Sequence, residues 1–183
     1  MDAQYFAPMK TLFTPLFLAF FCFSVASFAQ GQSQKEMSLY GNIDFGIGKR
    51  EFYRLMPEPK VQIGDFTYNV KPEFYKDSVI TSLTFSSDIL PADSFKRVEA
   101  SMHNLSAAFT RQFGKPALTN KSISPARLFK GRFMIFTFWH VGNKYLAITM
   151  YRTKEDQYYV TCKIENKAFE KNMIDALTVK KDE

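Results

Sequence analysis

Two strand-like runs on either side of Gly142-Asn143 constrain the fold of this chain more than any other feature of its sequence. A two-residue turn of this composition predicts a tight β-hairpin, here with strands over Arg132–Val141 and Lys144–Arg152. A loop of this length also fixes the register of the two strands. The predicted pairs on one face are Trp139 with Leu146, Thr137 with Ile148 and Ile135 with Met150, and Val141 lies opposite Lys144.

A third strand, predicted over Tyr158–Glu165, continues this hairpin if Thr153–Gln157 form the next turn. Successive side chains of a strand point to opposite faces, so the three strands share an inner and an outer face. Because the inner face is nearly all apolar, we expect a helix to cover it. From the third strand, the inner face receives Val160, Cys162 and Ile164.

The outer face combines aromatic and polar side chains, whereas the solvent side of an antiparallel sheet is usually polar. Such a mixture is typical of interfaces, so we interpret this face as a candidate binding surface. Its predicted residues are Met134, Phe136, Phe138, His140, Tyr145, Tyr151, Tyr159 and Lys163. An earlier pair of strands extends the same face with a hydroxyl-rich half made of Thr67, Asn69, Ser82, Thr84 and Ser86.

A competing interpretation is that another part of the chain covers these aromatic residues and makes them core. One candidate is the basic loop Lys115–Gly131, and the other is the final amphipathic segment Lys167–Thr178. This segment is predicted to be helical, with Phe169, Met173 and Leu177 on one stripe. The sequence leaves both interpretations open.

The strongest helix signal covers Ala92–Phe113, where apolar residues recur at steps of three and four. Pro91 suits the first helical position, and Gly114 suits the position just past the end. We expect this helix to pack on the apolar face of the sheet. Its predicted core stripe contains Phe95, Val98, Met102, Leu105, Phe109 and Phe113.

Ahead of this helix, the pattern predicts a short strand, a short helix and two further strands. Their predicted ranges are Ile43–Phe45, Lys49–Met56, Phe66–Val70 and Ser78–Ser86, with a loop over Lys71–Asp77. In the last of these strands, Val79, Thr81, Leu83 and Phe85 are predicted to share one side. The whole pattern indicates an α+β protein in which an antiparallel sheet carries a long amphipathic helix on one face, with tandem helix-strand-strand halves.

Residues 1–29 are predicted to form a secretory signal peptide. Lys10 precedes the apolar run from Leu12 to Ala26, and small residues stand one and three positions before a cut after Ala29. We expect the true start at Met9, because the eight preceding residues carry no positive charge. The run is shorter than the roughly 20 residues of a membrane-spanning helix. We therefore expect an exported protein, periplasmic or extracellular, without a stable membrane span after cleavage; an uncleaved anchor is the alternative.

The rest of the chain has the length of one domain. Residues 30–38 are predicted to be a flexible lead-in, 39–179 a single α+β domain and 180–183 a charged tail. After cleavage Cys162 is the only cysteine, so we expect no disulfide within the chain.

The formal net charge of +6 bears on the kind of partner. In an exported protein, this charge suggests an envelope protein or an anionic glycan as partner, or a solvated surface without a specific one. Arg127, Lys130 and Arg132 form a basic cluster that suits an anionic glycan or headgroup; the alternative is that these charges are only solvated. Export argues against nucleic acid. The sequence does not indicate an oligomeric state.

The sequence indicates no catalytic residue, no metal ligand set and no cofactor. It contains two histidines, and its carboxylates are scattered. His140 and Cys162 are predicted on opposite faces of the sheet, so they cannot form a nucleophile and base pair. Cys162 is expected in the core, and His103 on the flank of the long helix. We therefore expect a binding module; the alternative is an envelope-associated hydrolase or small-ligand carrier with a site built from loops.

Three short motifs resemble those of small exported α+β domains of unknown function from Gram-negative envelopes. They are Ile43-Asp44-Phe45-Gly46 before the first helix, Phe113-Gly114-Lys115-Pro116 after the second, and the Trp139 hairpin. The layout of residues 39–165 is similar to the β-lactamase-inhibitory-protein-like and TATA-binding-protein-like folds. The resemblance implies an open, concave sheet face that grips a partner protein, and it transfers no functional residue.

Overall fold

A computed structural model describes residues 37–120 and 123–167. Its strands are β1 Ser38–Tyr40, β2 Ile43–Asp44, β3 Lys60–Ile63, β4 Phe66–Tyr75, β5 Val79–Ser86, β6 Leu90–Pro91, β7 Leu118–Thr119, β8 Arg132–Val141, β9 Lys144–Arg152 and β10 Gln157–Asn166. Its α-helices are α1 Lys49–Leu55 and α2 Phe95–Phe113, and single 3-10 turns cover Ala92–Ser94 and Pro125–Arg127.

An antiparallel sheet of eight strands dominates the part of the chain that the structure describes. The strand order is β3-β4-β5-β10-β9-β8-β7, β6 pairs with β10, and β1 and β2 form a separate pair. Helix α1 is followed by the meander β3-β4-β5 and helix α2 by the meander β7-β8-β9-β10, and the last strands of the two meanders, β5 and β10, pair in the middle of the sheet. The predicted α+β class, an antiparallel sheet with a long helix on one face, is confirmed.

Helix α2 packs on the predicted inner face of the sheet. The core of this layer forms around Phe109, whose ring centroid lies 5.6 Å from that of Phe85 and 6.4 Å from that of Trp139. Burial of each such side chain contributes roughly 1.5–3 kcal/mol. The buried residues of α2 are Val98, Ser101, Met102, Leu105, Phe109 and Phe113.

The two ends of α2 differ slightly from the prediction. Pro91 belongs to β6 and precedes the 3-10 turn Ala92–Ser94, so it lies just outside the helix. Gly114 ends the helix with φ +86° and ψ −162°, a conformation that is almost exclusive to glycine. The carbonyl of Gly114 accepts a hydrogen bond from Trp139 Nε1 at 2.9 Å, which ties the end of the helix to β8.

The predicted β8–β9 register is confirmed from Thr137 to the turn. Farther from the turn, at Ile135 and the residues before it, the predicted register is wrong. Ile135 pairs with Thr149 rather than Met150, because Phe136 is an extra residue that forms a β-bulge. An inserted residue moves every side chain that precedes it in the strand to the opposite face of the sheet. The prediction that Met134 and Phe136 lie on the outer face is therefore wrong, and both lie on the inner face.

The segment Lys71–Asp77, predicted as a loop, is mostly strand. β4 continues to Tyr75, and the turn is made by Lys76 and Asp77 with φ of +44° and +56°. Pro72 is tolerated because β3 pairs only with Phe66–Asn69, so β4 is an edge strand at the proline.

A second bulge, in β5, changes which of its side chains point to the inner face of the sheet. Glu73 pairs with Ser82 and Phe74 pairs with Ile80, so Thr81 is the extra residue. Ile80 is consequently buried, whereas Val79 and Thr81, which were predicted to share one side with Leu83 and Phe85, are half-buried.

The boundaries of the fold at the two ends of the chain are only partly described. Ser38 already belongs to β1, so regular structure begins before the predicted Leu39. The predicted signal peptide, most of the lead-in, residues 168–178 of the last amphipathic segment and the charged tail lie outside the described residues. No helix within residues 37–120 and 123–167 is both long enough and apolar enough to cross a membrane.

Candidate functional site

The outer face of the large sheet, on the side away from α2, is the candidate site. We define its aromatic half as Phe133, Ile135, Phe138, His140, Tyr145, Tyr151 and Tyr159. We define its polar half as Asn69, Lys71, Glu73, Ser82, Thr84, Ser86, Thr161, Lys163 and Glu165. Of the predicted binding residues, the structure places Phe138, His140, Tyr145, Tyr151, Tyr159 and Lys163 on this face.

Three aromatic rings form a ladder across β8, β9 and β10. The register pairs Phe133 with Tyr151 and Tyr151 with Tyr159. The ring centroids of Tyr151 and Tyr159 are 4.8 Å apart and their planes differ by 8°, and Phe133 lies 5.4 Å from Tyr151. Burial, helped by the neighbouring Tyr151, raises the pKa of Tyr159. Its hydroxyl therefore stays protonated and able to donate a hydrogen bond at neutral pH.

A second aromatic cluster surrounds Tyr145 at the other end of β9. His140 is stacked on Tyr145 with centroids 4.6 Å apart, and Phe138 lies 6.0 Å away. Lys167 Nζ lies 5.0 Å from the centroid of the Tyr145 ring, which is a cation–π distance. His140 is thus held in place by stacking on the Tyr145 ring.

Exposed apolar side chains lie along the β7–β8 edge of this face. Phe133 is 59% exposed, Leu118 is 56% exposed and Ile135 is 38% exposed. Leu118 pairs with Phe138 and therefore shares the outer face with it. Sequence reasoning missed these three residues, because the bulge at Phe136 brings Phe133 and Ile135 outward and β7 has only two residues.

The charges of the polar half are largely compensated within the face. Lys163 Nζ lies 3.4 Å from Glu73 Oε2 and 3.2 Å from Glu165 Oε2. Burial alone would lower the pKa of Lys163, but the two carboxylates raise it. A hydrogen bond from Ser82, followed by the charge of Lys163, lowers the pKa of Glu73. This group remains ionised and internally paired at neutral pH.

The structure keeps the candidate nucleophile and base apart. Cys162 pairs with Ile148 on the inner face and His140 pairs with Tyr145 on the outer face, as predicted. Cys162 is fully buried, and burial raises the pKa of its thiol. His103 is exposed on α2, with its ring 4.9 Å from Phe136. The described residues contain no group of three or more His, Cys, Asp or Glu that suits a metal ion.

One residue of the predicted basic cluster forms an ion pair, and the other two are exposed to solvent. Lys130 Nζ lies 3.3 Å from Asp156 Oδ2, and Asp156 also accepts a 2.6 Å hydrogen bond from Arg152 Nε. Arg127 and Arg132 are exposed and form no ion pair with any described residue.

No protein-family model, curated protein or solved structure matches this chain.

Proposed function

We propose that the protein is an exported, non-catalytic binding module that holds a protein partner on the outer face of its sheet. The observation that carries this proposal is the exposed apolar strip Leu118, Phe133 and Ile135 beside the tyrosines of the aromatic half. Exposed apolar patches mark interaction sites, and Tyr and Phe are enriched at interfaces. The signal peptide predicted over residues 1–29 supports a partner that is also exported.

The arrangement of the rings favours a protein over a glycan. Tyr151 and Tyr159 face each other at 4.8 Å, so no sugar ring fits between them and their edges and hydroxyl groups are left to meet a partner. Lys163 is already paired with two carboxylates, so it offers little free charge to an anionic glycan. The polar half is suited to be the hydrogen-bonding rim of a protein interface.

Site-specific photo-crosslinking in intact envelopes tests this proposal. A photoreactive residue at Phe133 or Ile135 should give a discrete crosslinked product with an envelope protein. The same residue at Ala107, which is exposed on α2, is the matched control and should give none. Replacing Tyr151 with Ser should weaken the product formed from Phe133. Absence of a product, or the same products from Ala107, would contradict the proposal.

A further inference from the structure

A small cavity lies where β4 begins, β5 ends and the first turns of α2 meet, outside the aromatic half. Its volume is about 140 Å³, and its polar lining includes Asp65, Thr67, Ser87, Asp88, Arg97 and Ser101. A cavity of this size accommodates a molecule about as large as benzene. Any ligand is thus far smaller than those of ordinary cofactor pockets.

Charges of both signs line this cavity without forming an ion pair with each other. Arg97 comes from α2, Asp65 from the turn between β3 and β4, and Asp88 from the segment after β5. All three residues are exposed. Within the described part of the chain, their side chains form neither an ion pair nor a hydrogen bond. Their bonding capacity is therefore available to a ligand.

The surroundings of these charges are held in place by internal hydrogen bonds. The Tyr68 hydroxyl donates to the Ser101 carbonyl at 2.8 Å and lies 2.9 Å from Ser101 Oγ. Burial raises the pKa of Tyr68 to about 12, so its hydroxyl stays neutral. Ser87 Oγ accepts a hydrogen bond from the Val160 N–H at 2.9 Å and donates to the Asp88 carbonyl at 2.9 Å. The wall at Ser101 and the backbone beside Asp88 are therefore fixed before any ligand arrives.

We propose that this cavity binds a small zwitterion of the size of alanine, with its carboxylate on Arg97 and its ammonium group on Asp65 and Asp88. A guanidinium binds a carboxylate through two parallel hydrogen bonds, and a carboxylate accepts strong hydrogen bonds from an ammonium group. Two carboxylates repel a simple anion at this site, and the guanidinium repels a simple cation. Only a molecule with both charges satisfies all three side chains. This site is separate from the aromatic half of the outer face.

Titration of the full chain with alanine, monitored by NMR of the backbone amides, tests the proposal. Alaninamide lacks the carboxylate and propionate lacks the ammonium group, so they are size-matched controls. Saturable shifts confined to residues 65–67, 87–88 and 97–101, seen with alanine and much weaker with both controls, are the expected result. No saturable shift with alanine, or equal binding of either control, would overturn the proposal.

Variants of the arginine provide a second criterion. Arg97→Gln should weaken alanine binding by about tenfold or more, because a charge-assisted hydrogen bond is lost. Arg111→Gln, at an exposed position in the last turn of the same helix, should bind as the unmodified chain does. Equal affinity of the two variants would overturn the assignment. Because Arg97 is exposed and forms no ion pair with a described residue, the variant should keep its melting temperature.

Discussion

The ring of Phe136 lies 4.9 Å from the imidazole of His103, edge to face, on the helix side of the sheet. Only 3% of Phe136 is exposed, whereas Phe138, two residues later, lies on the outer face 6.0 Å from Tyr145. Phe136 and Phe138 would share a face in a regular strand, but the bulge places them on opposite faces of the sheet. Phe136 is part of the core, and Phe138 belongs to the candidate site.

Replacing Phe136 with Ala should lower the free energy of unfolding by about 3–5 kcal/mol, because it removes a buried ring and leaves a cavity. Phe133→Ala is the matched control in the same strand, and it should change this free energy by no more than about 0.5 kcal/mol. Urea denaturation followed by circular dichroism gives both values. Similar losses for the two variants would show that the bulge is misplaced.

Replacing Gly114 with Ala should destabilise the fold by about 1–3 kcal/mol, because the φ and ψ of this residue are strained for any side chain. No heavy atom lies within 4 Å of an added Cβ, so the cost is in the backbone and not in a clash. Asn, which tolerates the left-handed helical region, should not restore stability here. Thermal unfolding compares the variants, and a stable Gly114→Asn protein would contradict the assigned conformation.

The pKa of Glu73 is lowered in the folded protein, so its ionised form stabilises the fold. This stabilisation is present above the ordinary pKa of 4.5 and is lost as the pH falls through the lower folded value. Ser82→Ala removes the hydrogen bond that contributes most, so the pKa of Glu73 should rise towards its ordinary value. Carbon NMR of the Glu73 carboxyl group measures this change directly.

The same variant should also lose less stability between neutral pH and about pH 3 than the unmodified chain does. Ser86→Ala, on the same strand and face, is the control and should leave the titration of Glu73 unaltered. A Glu73 titration that Ser82→Ala does not move would argue against the hydrogen bond.

Cys162 should react with thiol reagents only when the protein unfolds. It is fully buried, and burial raises the pKa of its thiol, whereas the thiolate is the reactive form. The chain contains two cysteines, so a Cys22→Ser variant isolates the response of Cys162. Its labelling rate should rise with urea in parallel with the unfolding rate. Fast labelling without denaturant would place Cys162 outside the core.

The sequence predicted the elements whose ends are marked by turn residues. β8 and β9 have the predicted bounds because Gly142-Asn143 fixes the hairpin between them. α2 was predicted from its apolar stripe and from Gly114. β3 was missed because Pro57, Pro59 and Gly64 crowd a strand of four residues. Proline and glycine residues at such close spacing normally indicate a loop.

The candidate site was predicted in outline but not in detail. Six residues of the outer face follow from simple alternation, but the run Phe133–Trp139 is apolar throughout except for one threonine. Without regular polar residues to mark one face, an inserted residue leaves no trace in the pattern. The cavity beside α2 was not predicted at all, because Asp65, Asp88 and Arg97 come from three separate segments.

The pairing of β5 with β10 has a consequence for how this protein is made. It joins residues about 80 positions apart in the chain, which is a large separation for a domain of this size. While the chain is being synthesised, β5 lacks its neighbour until residues 161–165 emerge, and its edge is open to other chains. The nascent protein is therefore exposed to misassembly at this edge until β10 has been synthesised.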